Sequence, residues 1–185
     1  MIRRQDIILQ DNPHIRRKAL EVKLPMDEET KKILLDMCEY LKVSQDEEKS
    51  KELDIEPGVG IAAPQIDVNL RMLAIDVDYG DEESRFFYGV INPKIIASSV
   101  QMTYLEGGEG CLSVPNKRGN VLRHNRVKVK ATFYDPLKDT FEEKVITLRG
   151  YKAVVIQHEM DHLDGILFID KLAKSTSGIE PCEFI

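Results

Sequence analysis

Long apolar runs are missing from this chain of 185 residues; none approaches the 18 that a membrane-spanning helix requires. No Lys/Arg-rich block stands out either, and the net charge is −6. Phosphate binding needs a concentrated basic surface, so direct nucleic-acid binding is not expected. Cysteine is scarce: Cys38, Cys111 and Cys182 form an odd, sparse set, which argues against a disulfide framework. In a reducing compartment a lone thiol can instead serve as a metal ligand or a nucleophile. Internal repeats and low-complexity tracts are absent. Met1-Ile2-Arg3-Arg4-Gln5-Asp6 carries positive charge but no apolar stretch long enough for a signal peptide, so cytoplasmic residence is the default expectation. The glycine-rich segment 58–65 lacks the spacing and the lysine of a phosphate loop.

What is present fits one catalytic domain over 1–185, with 42% apolar and 31% charged residues. Asn12-Pro13 reads as an N-cap and first helical position, opening a short helix through Leu20. A longer helix is expected over 26–43. Thr30, Ile33, Leu34, Met37 and Leu41 recur at helical spacing, and Asp27, Glu28 and Glu29 suit its positive end. The charged stretch that follows reads as a solvated loop or a frayed helix end, an insertion over about 44–57. Short apolar runs at 71–77, 86–92 and 95–104 read as strands. Val127, Val129, Ala131 and Phe133 alternate with polar residues as a half-buried strand, and 141–148 returns beyond a turn as its antiparallel partner. A helix over 151–163 ends at Gly165, and a short tail occupies about 173–185. The expected fold class is α+β, antiparallel strands surrounding a buried central helix.

That last helix carries Gln157-His158-Glu159-Met160-Asp161-His162. Positions i and i+4 stack on one helix face, so His158 and His162 can grip one divalent ion. Glu159 projects from an adjacent angle, close enough to move a proton on a water. Ala153, Val154, Val155 and Ile156 precede the motif, so its ionisable groups sit in apolar surroundings, costly without a metal or a partner. A catalytic metal usually takes three protein ligands and leaves one position open. His14 and His124 have polar flanks and read as surface or structural residues. Cys111, in Glu109-Gly110-Cys111-Leu112-Ser113 after Gly107-Gly108, is either a buried inert thiol or the third ligand. Gly58-Val59-Gly60-Ile61-Ala62-Ala63-Pro64-Gln65 is a run of small residues ending in an amide that can face an oxyanion.

The three stretches together resemble the peptide deformylases. The family carries G-x-G-h-A-A-x-Q, with h apolar, then E-G-C-L-S, then Q-H-E-h-D-H-L-x-G, and residues 58–65, 109–113 and 157–165 match every defining position in that order. The resemblance implies a hydrolase that removes the formyl group from N-formylmethionyl ends of new proteins and releases formate. It assigns Cys111, His158 and His162 to the metal, Glu159 to the proton, and the Leu112 N–H and Gln65 amide to the oxyanion. The ion it implies is Fe²⁺, with Zn²⁺, Ni²⁺ or Co²⁺ as substitutes, and thiolate-ligated iron makes oxygen sensitivity expected. Gly60, Ile61, Gly108 and Glu109 are expected to take the substrate backbone as an added strand, and Val154, Val155 and Ile61 to wall a methionine pocket. The sequence permits a Glu109–Arg123 ion pair. Proximity to the ribosome is a further implication, while no membrane partner is expected. The insertion and the short tail resemble the longer-loop subclass common in Gram-positive bacteria. Two readings stand against this one. An endopeptidase would draw its third ligand from Glu180 or Glu183, and a metal-stabilised binding module would close its site with four protein ligands.

Overall fold

The computed structural model describes residues 1–80 and 84–182. Its first long element follows local rules. Asp27 accepts a 2.7 Å hydrogen bond from the Thr30 amide, Glu28 and Glu29 fill the first turn, and α1 runs over Glu28–Ser44. The charged stretch beyond it is not a loop throughout. Asp46 accepts from the amides of Glu48 and Lys49 and so starts a short helix, α2 (Glu47–Glu52). Near the chain start the opposite happens. The helix expected from Pro13 to Leu20 is one 3₁₀ turn, Pro13–Arg16, although Asn12 does cap it. Beyond that turn Ala19 donates to the Leu163 carbonyl, and Leu20 bonds with Asn69 and Arg71. Distant backbone partners hold the chain extended there against its local preference.

Nine strands follow among the described residues: β1 (Gly60–Ala62), β2 (Met72–Val77), β3 (Phe86–Ser98), β4 (Met102–Thr103), β5 (Glu109–Cys111), β6 (Val114–Gly119), β7 (Arg123–His124), β8 (Arg126–Asp135) and β9 (Thr140–Arg149). Five form an antiparallel sheet in the order β1-β2-β3-β8-β9; β4 pairs with β7 and β5 with β6. β8 and β9 are the antiparallel pair that alternation suggested. The separate strands expected at 86–92 and 95–104 are instead one strand to Ser98 and a remnant, β4. Asn92-Pro93 reads as a break, yet Asn92 adopts φ 51° and its side chain bonds both the amide and the carbonyl of Val22. The result is a bulge with shifted register between Ile91 and Lys94, not a chain reversal.

Alternation along β2 sends side chains into two cores. Leu73 and Ile75 join Val90, Val129, Phe133, Val154 and Ile156 beneath α3 (Gly150–Leu163). Met72 and Ala74 join Leu34, Met37, Leu41, Phe87 and Ile91 beneath α1. A strand buried on both faces reads as a continuous apolar run, which β2 does. Each such Leu or Ile contributes about 1.5–3 kcal/mol by its burial. The architecture is thus mixed α+β with antiparallel sheets and few helices. All three cysteines are free. The tail lies against the body as far as it is described: Ala173 donates to the Asn120 carbonyl, Cys182 donates to the Tyr104 carbonyl, and Cys182 is buried.

Candidate metal centre

α3 presents two rows of residues at four-residue spacing. One is Val154, His158 and His162; the other is Tyr151, Val155 and Glu159. The helix closes at Asp164, and Gly165 turns the chain with φ 73°. A Cβ at Gly165 would stand 2.3 Å from the Arg16 carbonyl oxygen, so the turn requires glycine. Cys111 approaches from the β5–β6 hairpin. Gly108, at φ 80°, lets the hairpin close, since a Cβ there would stand 2.7 Å from the Gly119 nitrogen. The Cys111 Sγ lies 3.3 Å from His162 Nε2, and the donor atoms of Cys111, His158 and His162 all fall within 4.8 Å of one another.

These residues fit a divalent ion on three counts. A thiolate and two imidazoles are the donor set of zinc and of several neighbouring metals. The rings are also oriented for it. His158 Nδ1 meets Glu109 Oε2 at 2.7 Å, which leaves Nε2 to face the ion. Two buried polar atoms at the centre, His162 Nδ1 and Glu159 Oε2, have no hydrogen-bond partner among the described residues. Burial, and then the positive charges of His158 and Arg123, hold His162 well below the usual imidazole range, so it is a neutral donor. Burial also works against an imidazolium at His158, yet bonds to Cys111 and Glu109 and the charge of Glu159 push it up to about 10. A cation entering the site takes the place of that proton.

Behind His158 runs a chain of charges. Burial disfavours the Glu109 carboxylate, but hydrogen bonds from Arg123 and His158 outweigh it and hold its pKa at about 2. Arg123, 2% exposed, donates to both Glu109 oxygens at 2.8 and 2.9 Å and also to Asp161. Lys171 completes the line, 3.0 Å from Asp161. The ion pair that the sequence only permits is therefore present and two-pronged. It fixes the hairpin that carries Cys111 to the helix that carries the histidines.

Glu159 is 5% exposed, and burial raises its pKa to about 7. Its carboxyl lies against β1. A Cβ at Gly60 would stand 2.4 Å from Glu159 Oε1 and 2.7 Å from Cδ, so glycine is required by close approach. The Gly60→Ala variant is expected to push the carboxyl aside. If Glu159 carries the proton, as the resemblance implies, a displacement near 1 Å costs about 10²-fold in rate. Steady-state kinetics checks it: kcat should fall while metal content stays constant. The Gln65 amide is aimed by its own oxygen, which accepts from the Ala62 N–H at 2.8 Å. Its nitrogen then lies 3.5 Å from the Cys111 Sγ and 3.2 Å from Ser113 Oγ.

The centre opens into a cleft of about 990 Å³. Gly60, Gln65, Leu112, Val154, Val155 and Glu159 are among its lining residues. Two expectations require correction. The Ile61 side chain is fully buried among the α1-side residues and does not wall the methionine pocket, because strand alternation that turns Gly60 toward the cleft turns Ile61 away; its backbone stays on the edge strand β1. Gly108 packs on the β6 backbone instead of the cleft wall. Glu109 is at the rim, but its side chain is committed to Arg123 and His158, leaving only backbone for a substrate. Sequence reasoning passed over Tyr151 and Leu105 on the apolar wall. Tyr151 carried a usable signal, four residues before Val155 on the same helix face. His14 pairs with Asp67 at the surface and His124 bonds the Ser99 carbonyl, each away from the centre. Glu180 is exposed and does not converge with the histidines, while Glu183 lies outside the described residues. Among the described residues no helix is long and apolar enough to cross a membrane.

Comparison with known proteins gives a consistent result. A family model described as polypeptide deformylase matches residues 4–177. The chain is 45% identical over 174 residues to peptide deformylase 2 of Geobacillus stearothermophilus, covering 93% of this chain and 91% of that one. Its structure is similar to a peptide deformylase from Legionella pneumophila, with TM-score 0.71, 32% identity, and coverage of 94% and 88%. It is also similar to a Met-Ala-Ser-bound peptide deformylase from Acinetobacter baumannii, with TM-score 0.67, 28% identity, and coverage of 90% and 96%.

Proposed function

The chain belongs to the polypeptide deformylase family, and from that premise we propose how its own residues carry out the reaction. The enzyme is a metal-dependent hydrolase that removes N-formyl groups from N-formylmethionyl peptides. The observation that carries the assignment of roles is the convergence of Cys111, His158 and His162 beside the buried Glu159.

In this reading Cys111, His158 and His162 hold the ion. When bound, the ion supplies positive charge that acidifies water and polarises the formyl oxygen. Glu159 takes a proton from the attacking water and delivers it to the amine nitrogen as the C–N bond breaks. A carboxyl whose pKa burial has raised to about 7 suits both halves of that transfer near neutral pH. The Gln65 amide and the Leu112 N–H hold the oxyanion, and losing one such donor costs about 3 kcal/mol of barrier. Formate and a free amino terminus leave, and Glu159 returns to its starting state.

Val154 and Val155, joined by Leu105 and Tyr151, form the wall for the methionine side chain. β1 is an edge strand of the sheet and borders the cleft, so a peptide can add alongside Gly60 as a further strand. Backbone pairing of that kind supports acceptance of many sequences after methionine. Fe²⁺ is the ion in the cell under this proposal. Zn²⁺, which binds such donors more tightly, Ni²⁺ or Co²⁺ would occupy purified protein. The whole chain acts as one catalytic domain whose centre is the motif helix. Its segment 44–57 and helix-free described tail support the longer-loop subclass. Cytoplasmic residence near the ribosome follows from a substrate that is a newly made chain.

Formate release from formyl-Met-Ala-Ser by anaerobically prepared protein tests the activity. Stoichiometric formate and Met-Ala-Ser are expected, with no reaction of the unformylated peptide. Cleavage inside the peptide chain would support the endopeptidase reading instead.

A further inference from the structure

Beyond α3 the chain returns across the small strands that surround the cleft. Leu172 forms an antiparallel bridge with Val121, and Ala173 donates to the Asn120 carbonyl at 2.8 Å. Further along, Thr103 Oγ1 donates to the Glu180 carbonyl at 2.9 Å, and the Cys182 amide donates to the Tyr104 carbonyl at 2.8 Å. Cys182 stands beside Leu105 as a parallel bridge. The described tail is therefore tied down twice, first beside β6 and β7 and then along the segment that leaves β4.

The second tie lies behind the apolar wall of the cleft. Leu105 and Tyr151 line that cleft, whereas Cys182 does not. Residues paired across neighbouring strands present their side chains to one side. Cys182, 7% exposed, joins Tyr151, Val154 and Val155 in the α3-side core, and Leu105 packs against the same core. The Tyr151 and Tyr79 hydroxyls are raised first by burial and then by neighbours that include the Cys182 sulfur, so that sulfur lies near both. Burial also raises the thiol itself, which stays protonated and packs as a small apolar group. Leu105 sits between strands. Its carbonyl accepts from the Gly108 amide at 2.9 Å in a tight turn, and the tail holds its other side. Where Leu105 stands relative to the cleft thus depends on the tail as well as on the turn.

We propose that the tail is a backing layer for the methionine pocket, and that Cys182 is a positioning residue which sets, through Leu105 and Tyr151, the size of side chain the pocket accepts. The role rests on the reading that Leu105, Tyr151, Val154 and Val155 wall the methionine side chain. One methylene in an apolar pocket is worth about 10–200-fold in discrimination, and only a wall that does not yield can deliver it. Deleting a buried sulfur leaves a void that its neighbours fill in part. Leu105, carried on a loop, moves into it, and the pocket widens. Bulkier first residues then gain on methionine. The tail supplies none of the three converging donor atoms, so the ion is not involved.

The test measures kcat and KM for formyl-Met-Ala-Ser and the bulkier formyl-Phe-Ala-Ser. Wild type is compared with Cys182→Ala, with Thr103→Val, which removes the bond to Glu180, and with a chain stopped after Lys174. Cys38→Ala deletes the same sulfur from the other core and is the control. Leu105→Ala probes the wall itself. In Cys182→Ala the ratio of the two kcat/KM values, Met over Phe, should fall about fivefold. The change should lie in KM, with metal content constant. Thr103→Val and the shortened chain should move the ratio the same way, and Cys182→Val, which refills the space, should restore it. Cys38→Ala should leave the ratio at its wild-type value. An unchanged ratio in Cys182→Ala and Thr103→Val would overturn the role of the tail even if the shortened chain fails to fold. An equal shift in Cys38→Ala would also overturn it, since general loosening would then suffice. A ratio that Leu105→Ala alters and Cys182→Ala does not would leave the wall reading standing. A ratio unmoved by Leu105→Ala would remove the wall reading as well.

Discussion

Glu159→Ala is expected to abolish formate release while leaving the fold and the metal in place. A positioned acid–base group contributes about 10²–10⁴-fold to rate, and here one carboxyl serves both proton transfers. The loss should therefore lie in kcat, with little change in KM. Metal content should persist because the carboxyl is not among the three converging donors. The fold should persist for a separate reason. Glu159 Oε2 is buried without a partner among the described residues, and an unsatisfied polar atom of that kind costs about 1–3 kcal/mol. Removing it offsets much of the packing lost with the side chain, so the melting temperature should hold or rise. Glu159→Gln keeps the shape and lacks the base, and it should be equally inactive. Turnover within a few-fold of wild type would remove the role given to this residue, and loss of metal would show it to be a ligand.

Cys111→Ala is the second large effect. Bound metal, measured by mass spectrometry on gel-filtered protein, should fall from one ion per chain to a small fraction. Altering partners behind a ligand costs about 10–100-fold in affinity, and deleting a ligand should exceed that. Circular dichroism should report a folded protein, since the hairpin remains tied through Glu109 and Arg123. Glu180→Ala is the matching control and should keep its ion. Metal retained without Cys111 and lost without Glu180 would return the endopeptidase reading.

Local rules carried much of this account. The convergence of His158 and His162 is legible because helix geometry converts a spacing of four into proximity. α1 follows from Asp27 and a periodic apolar face, and β8–β9 from alternation. Cys111 is different: nothing in its own segment distinguishes a ligand from an inert thiol, and only the resemblance joined it to the histidines. The misses have physical causes. Asp46 followed by Glu47 and Glu48 is a helix start, overlooked because the segment has no apolar face to bury. The helix at Pro13 stops early because Ala19 and Leu20 have partners far along the chain, which no local window contains. Ile61 was misplaced although the period of two, applied from Gly60, turns it away from the cleft. The line from Lys171 through Asp161, Arg123 and Glu109 to His158 spans four separate segments and emerges only on folding.

The most direct measurement is X-ray absorption at the zinc edge of zinc-loaded protein. One sulfur at about 2.3 Å and two imidazole nitrogens at about 2.0–2.1 Å, with a light atom in the remaining position, are expected. A shell of nitrogen and oxygen alone, with no sulfur, would contradict the account.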